Sequence, residues 1–131
     1  MTESDSNPVL LSDYVPPPYL IDQIGLIFEL DHTHTRVTAR SVLRRNSVVN
    51  SSDSSIRLDG ENLVLDSVRI DGRPVDEHRL NVGKDSLTIK EVPDCFNLEI
   101  VTIINPSKNK ALEGLYITNE RFCTQCEAEG F

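Results

Sequence analysis

The sequence has 131 residues, 21 acidic against 13 basic side chains, and a formal net charge of -8. A chain of this length forms one domain that buries roughly 65 to 70% of its unfolded surface, while its acidic balance excludes the Lys and Arg clusters that a phosphate backbone requires, so nucleic acid is not an expected partner. Trp is absent and aromatic residues are only 5%, so the core must rest on Val, Ile and Leu, a bias that favours strands.

Residues 1–13 are polar and acidic, with neither the basic start nor the apolar stretch of a secretory signal, and they read as a mobile tail. No later apolar run approaches membrane-spanning length, so no membrane partner is expected and the chain reads as cytoplasmic. The domain is expected over residues 14–131. "PPP" at Pro16 to Pro18 forces an extended entry and forbids a helix.

From Tyr19 the pattern is alternation with a period of two. Ile24, Leu26 and Phe28 share one face of a first strand, and "TRVTARSVLRR" continues as a second. The polar "DHTH", Asp31 to His34, reads as the loop between them. Arg44 and Arg45, like the scattered Lys84, Lys90, Lys108 and Lys110, form no run and read as solvated charge. "DG" at Asp59-Gly60 and again at Asp71-Gly72, each beside β-branched residues, signals two hairpins. "SLTIKEVPDCFNLEIVTIINP" then supplies strands at Leu87 to Lys90 and Phe96 to Asn105, the second closed by Pro106. Nothing sustains helical periodicity, and turn signals recur at the spacing of an antiparallel sandwich or barrel.

Three groups could carry chemistry. In "DHTH", His32 and His34 with Asp31 nearby can ligate a metal only if further ligands arrive, and none is obvious. In "CTQC", Cys123 and Cys126 would point to opposite faces of a strand and could not share a metal, and too little chain follows for a helix that would activate the first thiol. They read as small semi-buried hydrophobes, and an odd total of three cysteines with Cys95 suits free thiols. Gln125 and Glu127, two apart on a strand, would project from one face with Glu129 following. Such a face can accept hydrogen bonds from a ligand ammonium, or it can be a solvated edge whose charge discourages strand pairing; spacing by itself favours the edge. No HExxH helix, phosphate loop or G-x-S-x-G elbow is present in the sequence.

The run "ALEGLYITNERFCTQCEAEGF", with "YVPPPYLIDQIGLIFELDHTHTRVTARSVLRRN" and "IRLDGENL" upstream in the same order, resembles the N-terminal domain of the M1 family of zinc metallopeptidases, in its bacterial aminopeptidase N branch. The resemblance covers Asp13 to Phe131. It implies an all-β, antiparallel, saddle-shaped and sandwich-like domain of a longer enzyme that removes N-terminal residues from peptides. The first partner would be the catalytic domain of its own chain, with peptide substrates bearing a free N-terminus beyond it. By the same resemblance Glu127 helps bind the substrate α-amine, Gln125 lines the pocket for the first side chain, and the Glu127-Ala128 peptide is strained or cis, a state that costs about 3 to 4 kcal/mol and that the isolated fragment would relax.

The zinc ligands, general base and "GAMEN" segment of such enzymes lie outside these residues. The resemblance therefore implies no metal and no catalysis in this fragment, with Zn in the parent enzyme. Two positions depart from the family pattern: "NER" at Asn119 to Arg121 stands where a Gly-containing turn is usual, and Lys110 where a Thr is common. A fragment of this kind is expected to expose an apolar patch around Phe122 and Phe131 and to self-associate. The alternative to the enzyme domain is a self-standing β-sandwich interaction module.

Overall fold

The structure is a computed structural model and describes residues 11–13, 16–49, 52–110 and 114–125. Among these are ten strands, three short 3-10 turns and no α-helix. The strands are β1 (Tyr19–Glu29), β2 (Thr35–Arg45), β3 (Ile56–Asp59), β4 (Val64–Ile70), β5 (Arg73–Pro74), β6 (Leu80–Val82), β7 (Ser86–Ile89), β8 (Cys95–Ile104), β9 (Gly114–Thr118) and β10 (Arg121–Gln125). They form an antiparallel five-stranded sheet in the order β1-β2-β8-β4-β5, a three-stranded sheet β3-β7-β6, and the two-stranded hairpin β9-β10.

Period-two alternation divides the large sheet into two faces of different chemistry. The inner face carries Leu43, Val68, Ile70, Phe96 and Leu98, which form the core with Ile56 and Ile89 of the three-stranded sheet. Ile89 is completely buried. Tyr19 closes one end of this core, its ring edge-on to Phe96 at 5.9 Å and under the Arg45 guanidinium at 5.3 Å. The extended entry over the prolines is held by Asn46, whose side-chain amide donates to Pro17 O (3.0 Å) and whose backbone N–H donates to Pro18 O (2.8 Å).

The outer face is an ion-pair lattice. Arg36, Arg40 and Arg44 recur along β2; Arg44 Nε bonds Asp22 (3.0 Å), Arg40 Nε bonds Glu99 (2.9 Å), and Arg36 bonds Asp66 (3.1 Å). Asp22 and Asp66 are the extra residues of two bulges, between Ile21 and Gln23 in β1 and between Leu65 and Ser67 in β4. Each bulge turns a carboxylate toward an arginine that strict alternation would not have given it. Arg44 and Arg45 are therefore ion-paired, Arg45 to Asp94 at 2.8 Å, rather than simply solvated.

The two "DG" steps behave differently. Asp71 (φ 50°) and Gly72 (φ 81°) form a tight turn of the I′ kind joining β4 to β5, with Ile70 opposite Arg73. Asp59-Gly60 corrects the expected second hairpin: β3 pairs with β7, β4 pairs with β8, and the step carries the chain from one sheet to the other. Gly60 N–H donates across to Asp85 O (2.9 Å), so the local turn serves a pairing made later in the sequence.

Candidate functional site

The segment that carries Gln125 hangs from one end of the large sheet. There β1 and β2 are joined by the 30–34 loop, and β8 leaves the sheet beside Thr35, its Ile104 opposite that residue. Thr35 is fully buried, donates its hydroxyl to Asp31 O (2.6 Å) and accepts from Asp31 N–H (3.0 Å), closing the loop. The exposed Asp31 carboxylate accepts from Thr33 N–H (3.0 Å), His34 N–H (2.9 Å) and the Thr33 hydroxyl (3.2 Å). The Thr33 backbone bond, then that of His34, holds its pKa below the ordinary 3.8.

After β8, "NPSK" makes a 3-10 turn over Pro106–Lys108, capped by the Asn105 side chain and with buried Pro106 at its start. Ser107 N–H donates to His32 O (3.0 Å), tying this turn to the 30–34 loop. Asn109 then donates its side-chain amide to Leu115 O (2.8 Å), which positions β9. Asn119 and Glu120 reverse the chain, and β10 pairs with β9 so that Cys123 faces Tyr116 and Gln125 faces Gly114.

Alternation along β10 puts Phe122 and Thr124 on one side and Cys123 and Gln125 on the other. The Phe122 ring packs edge-on to His32 at 5.4 Å and is half-buried. Phe131, the other centre of the expected apolar patch, falls outside the described residues, while β1 exposes Ile24, Leu26 and Phe28. Gln125 is exposed. Glu127, Glu129 and Cys126 also fall outside the described residues, as does the Glu127-Ala128 peptide.

The other candidates resolve into structural roles. His32 supports Phe122, and the His34 ring nitrogen Nδ1 lies 2.8 Å from the Thr33 hydroxyl. Cys95 is an exposed free thiol and Cys123 a half-buried one. Among the described residues no group of three or more His, Cys, Asp or Glu is placed to hold a metal. What sequence reasoning missed was the clasp of His32, Ser107 and Asn109 that holds the hairpin. Its one visible signal was the Asn-Pro start of a capped turn.

Comparison with known proteins sets this arrangement in context. No family model matches the chain. Aminopeptidase N of Caulobacter vibrioides is 48% identical over 123 residues, 94% of this chain, and that of Escherichia coli is 44% identical over 119 residues, 91% of it. Aminopeptidase N of Haemophilus influenzae is 38% identical over 120 residues. The chain is a homologue of the N-terminal β domain of bacterial aminopeptidase N. It spans only 14%, 13% and 14% of those three proteins. Legionella pneumophila aminopeptidase A, solved with aspartic acid, superposes over 92% of this chain with a TM-score of 0.82 at 31% identity, using 14% of its own chain. An M1 zinc metallopeptidase from Deinococcus radiodurans, solved as a mutant bound to a Tyr-Ser-Ala substrate, covers 73% of this chain and 23% of its own with a TM-score of 0.54. At 12% identity that second likeness concerns the fold alone. The all-β, antiparallel architecture expected from the sequence is the architecture these M1 aminopeptidases share with it.

Proposed function

We propose that this domain belongs to a zinc-dependent aminopeptidase, caps its catalytic domain, and supplies through Glu127 the carboxylate that receives the α-ammonium of a peptide substrate. Gln125 lines the pocket for the first side chain. The observation that carries the reading is the 48% identity to an aminopeptidase N over nearly the whole chain. The exposed position of Gln125 on the last described strand, held at a fixed place by the His32–Phe122 and Asn109–Leu115 contacts, supports it. The chemistry is selective: a buried carboxylate gains a charge-assisted hydrogen bond from a free N-terminus and nothing from an acylated one. Zinc and the hydrolytic groups would come from the catalytic domain of the same polypeptide. The fragment by itself should hydrolyse nothing.

The test is the full-length enzyme with Glu127→Ala. Loss of a charge-assisted contact to the substrate amine should lower kcat/KM for free-amine substrates by about 1.5 to 3 kcal/mol in transition-state terms. Bound zinc, measured by metal analysis, should stay unchanged. Wild-type kinetics in this variant would remove Glu127 from the site.

A further inference from the structure

His32 is tied to the chain after β8 at two places well separated in sequence. Its backbone carbonyl accepts from Ser107 N–H (3.0 Å) ahead of β9, and its ring meets that of Phe122 edge-on at 5.4 Å inside β10. The loop that presents His32 is fixed in turn: buried Thr35 bonds both Asp31 O (2.6 Å) and Asp31 N–H (3.0 Å), and the Asp31 carboxylate collects the Thr33 and His34 amides (3.0 and 2.9 Å). The hairpin needs such a support. Two strands are marginal by themselves in water, Phe122 is only half-buried, and among the described residues no third strand joins β9 and β10. Gln125 ends β10, so a tilt of the hairpin about Phe122 displaces it.

We propose that His32 is a positioning residue for substrate binding: its ring, through Phe122, holds the hairpin in the orientation in which β10 delivers Gln125 and the carboxylate after it to the N-terminus of a peptide. This rests on the reading of Glu127 as the amine anchor. His32 itself touches no substrate. It sets the fraction of molecules whose hairpin is docked, and a site formed in only part of the population binds with an affinity lowered by that fraction. Bound substrate selects the docked state, so the chemical step that follows is untouched. The effect therefore falls on KM and leaves kcat alone. The contact needs an aromatic ring at each position and no proton transfer between them. His32→Phe is accordingly expected to preserve it, and His32→Ala to lose it.

The test is steady-state kinetics of the full-length enzyme on a free-amine substrate, alanine p-nitroanilide. His32→Ala removes the ring while leaving the backbone carbonyl that Ser107 uses. Its KM should rise about two- to tenfold, the range an aromatic pair supplies, with kcat and bound zinc unchanged. His32→Phe should restore the wild-type KM. Phe122→Ala should raise KM as His32→Ala does, and the double variant should be no worse than the worse single one, since both changes remove one shared contact. A wild-type KM in His32→Ala overturns the proposal, as does a loss confined to kcat, a His32→Phe enzyme as weak as His32→Ala, or single effects that multiply in the double variant. If His32→Ala fails to fold, Phe122→Leu, which removes the ring and keeps apolar bulk, takes its place in the same measurement. Glu127→Ala in the same series separates the failures. Weak Glu127→Ala beside wild-type His32→Ala strikes the positioning role and keeps the anchor, whereas wild-type Glu127→Ala strikes the functional reading itself.

Discussion

Asn119 and Glu120 both hold left-handed backbone, with φ of 49° and 63°, in the turn that aims β10. Asn tolerates that region, but a left-handed backbone costs an ordinary L residue about 1–2 kcal/mol. Glycine would remove the cost while losing about 0.4–1 kcal/mol through the freedom it adds to the unfolded chain. Glu120→Gly should therefore stabilise the 131-residue chain by about 0.5–1 kcal/mol net, read as a higher urea midpoint; a lower midpoint would contradict the strain. Asp31 offers a test of opposite character. Its folded pKa lies below 3.8 because it accepts bonds from Thr33 and His34, so the unfolded chain takes up protons first on acidification. The stabilisation from its charged form is complete above 3.8 and is lost as pH falls through the lower folded value. Asp53 shifts in the same direction through Ser55. In urea unfolding from neutral pH downward, Asp31→Asn should lose less stability than the parent chain below pH 3.8, and parallel curves would refute the assignment.

At the scale of elements, the β9-β10 hairpin is held by a ring contact and a few hydrogen bonds, whereas β2 and β8 are central in the large sheet. Hydrogen exchange should show the β9-β10 amides opening at lower free energy than those of β2 and β8. Phe122→Ala should speed the hairpin amides while leaving the central strands unchanged. Uniform acceleration would mean that the hairpin is part of the cooperative core. The strands themselves were legible in the sequence, since β1, β2, β7 and β8 all follow alternation. What alternation cannot supply is partner choice. Asp71-Gly72 and Asp59-Gly60 carry the same local chemistry, yet only the first closes a hairpin, because β3 finds its apolar partner in β7. The bulges at Asp22 and Asp66 were hidden for the same reason: one inserted residue changes which face a carboxylate reaches, and period-two reading assumes none is inserted. The spacing of Gln125 and Glu127 sets up an expectation that they share a face, and Glu127 lies outside the described residues. The clasp that holds β10 was not legible, since His32 and Phe122 meet only through tertiary packing.

Across the whole molecule, one continuous sheet face divides into a half that contributes to folding of this chain and a half that does not. Leu98 and Leu26 are both leucines on that face, one buried in the core and the other half exposed. Truncating Leu98 to Ala removes contacts to both sheets and should cost about 2–5 kcal/mol. Leu26→Thr places a β-branched residue in the strand and removes side-chain surface that largely faces water, so it should change stability by no more than about 0.5 kcal/mol. Both are read from urea unfolding of the 131-residue chain with its m-value held constant. The same Leu26→Thr change in the full-length parent should approach the cost at Leu98, since the side chain would then leave a packed layer. The comparison turns on context alone: one substitution, two chain lengths, and a penalty that grows only if the added polypeptide lies on that face. A large penalty already present in the short chain would mean that Leu26 is covered without any addition.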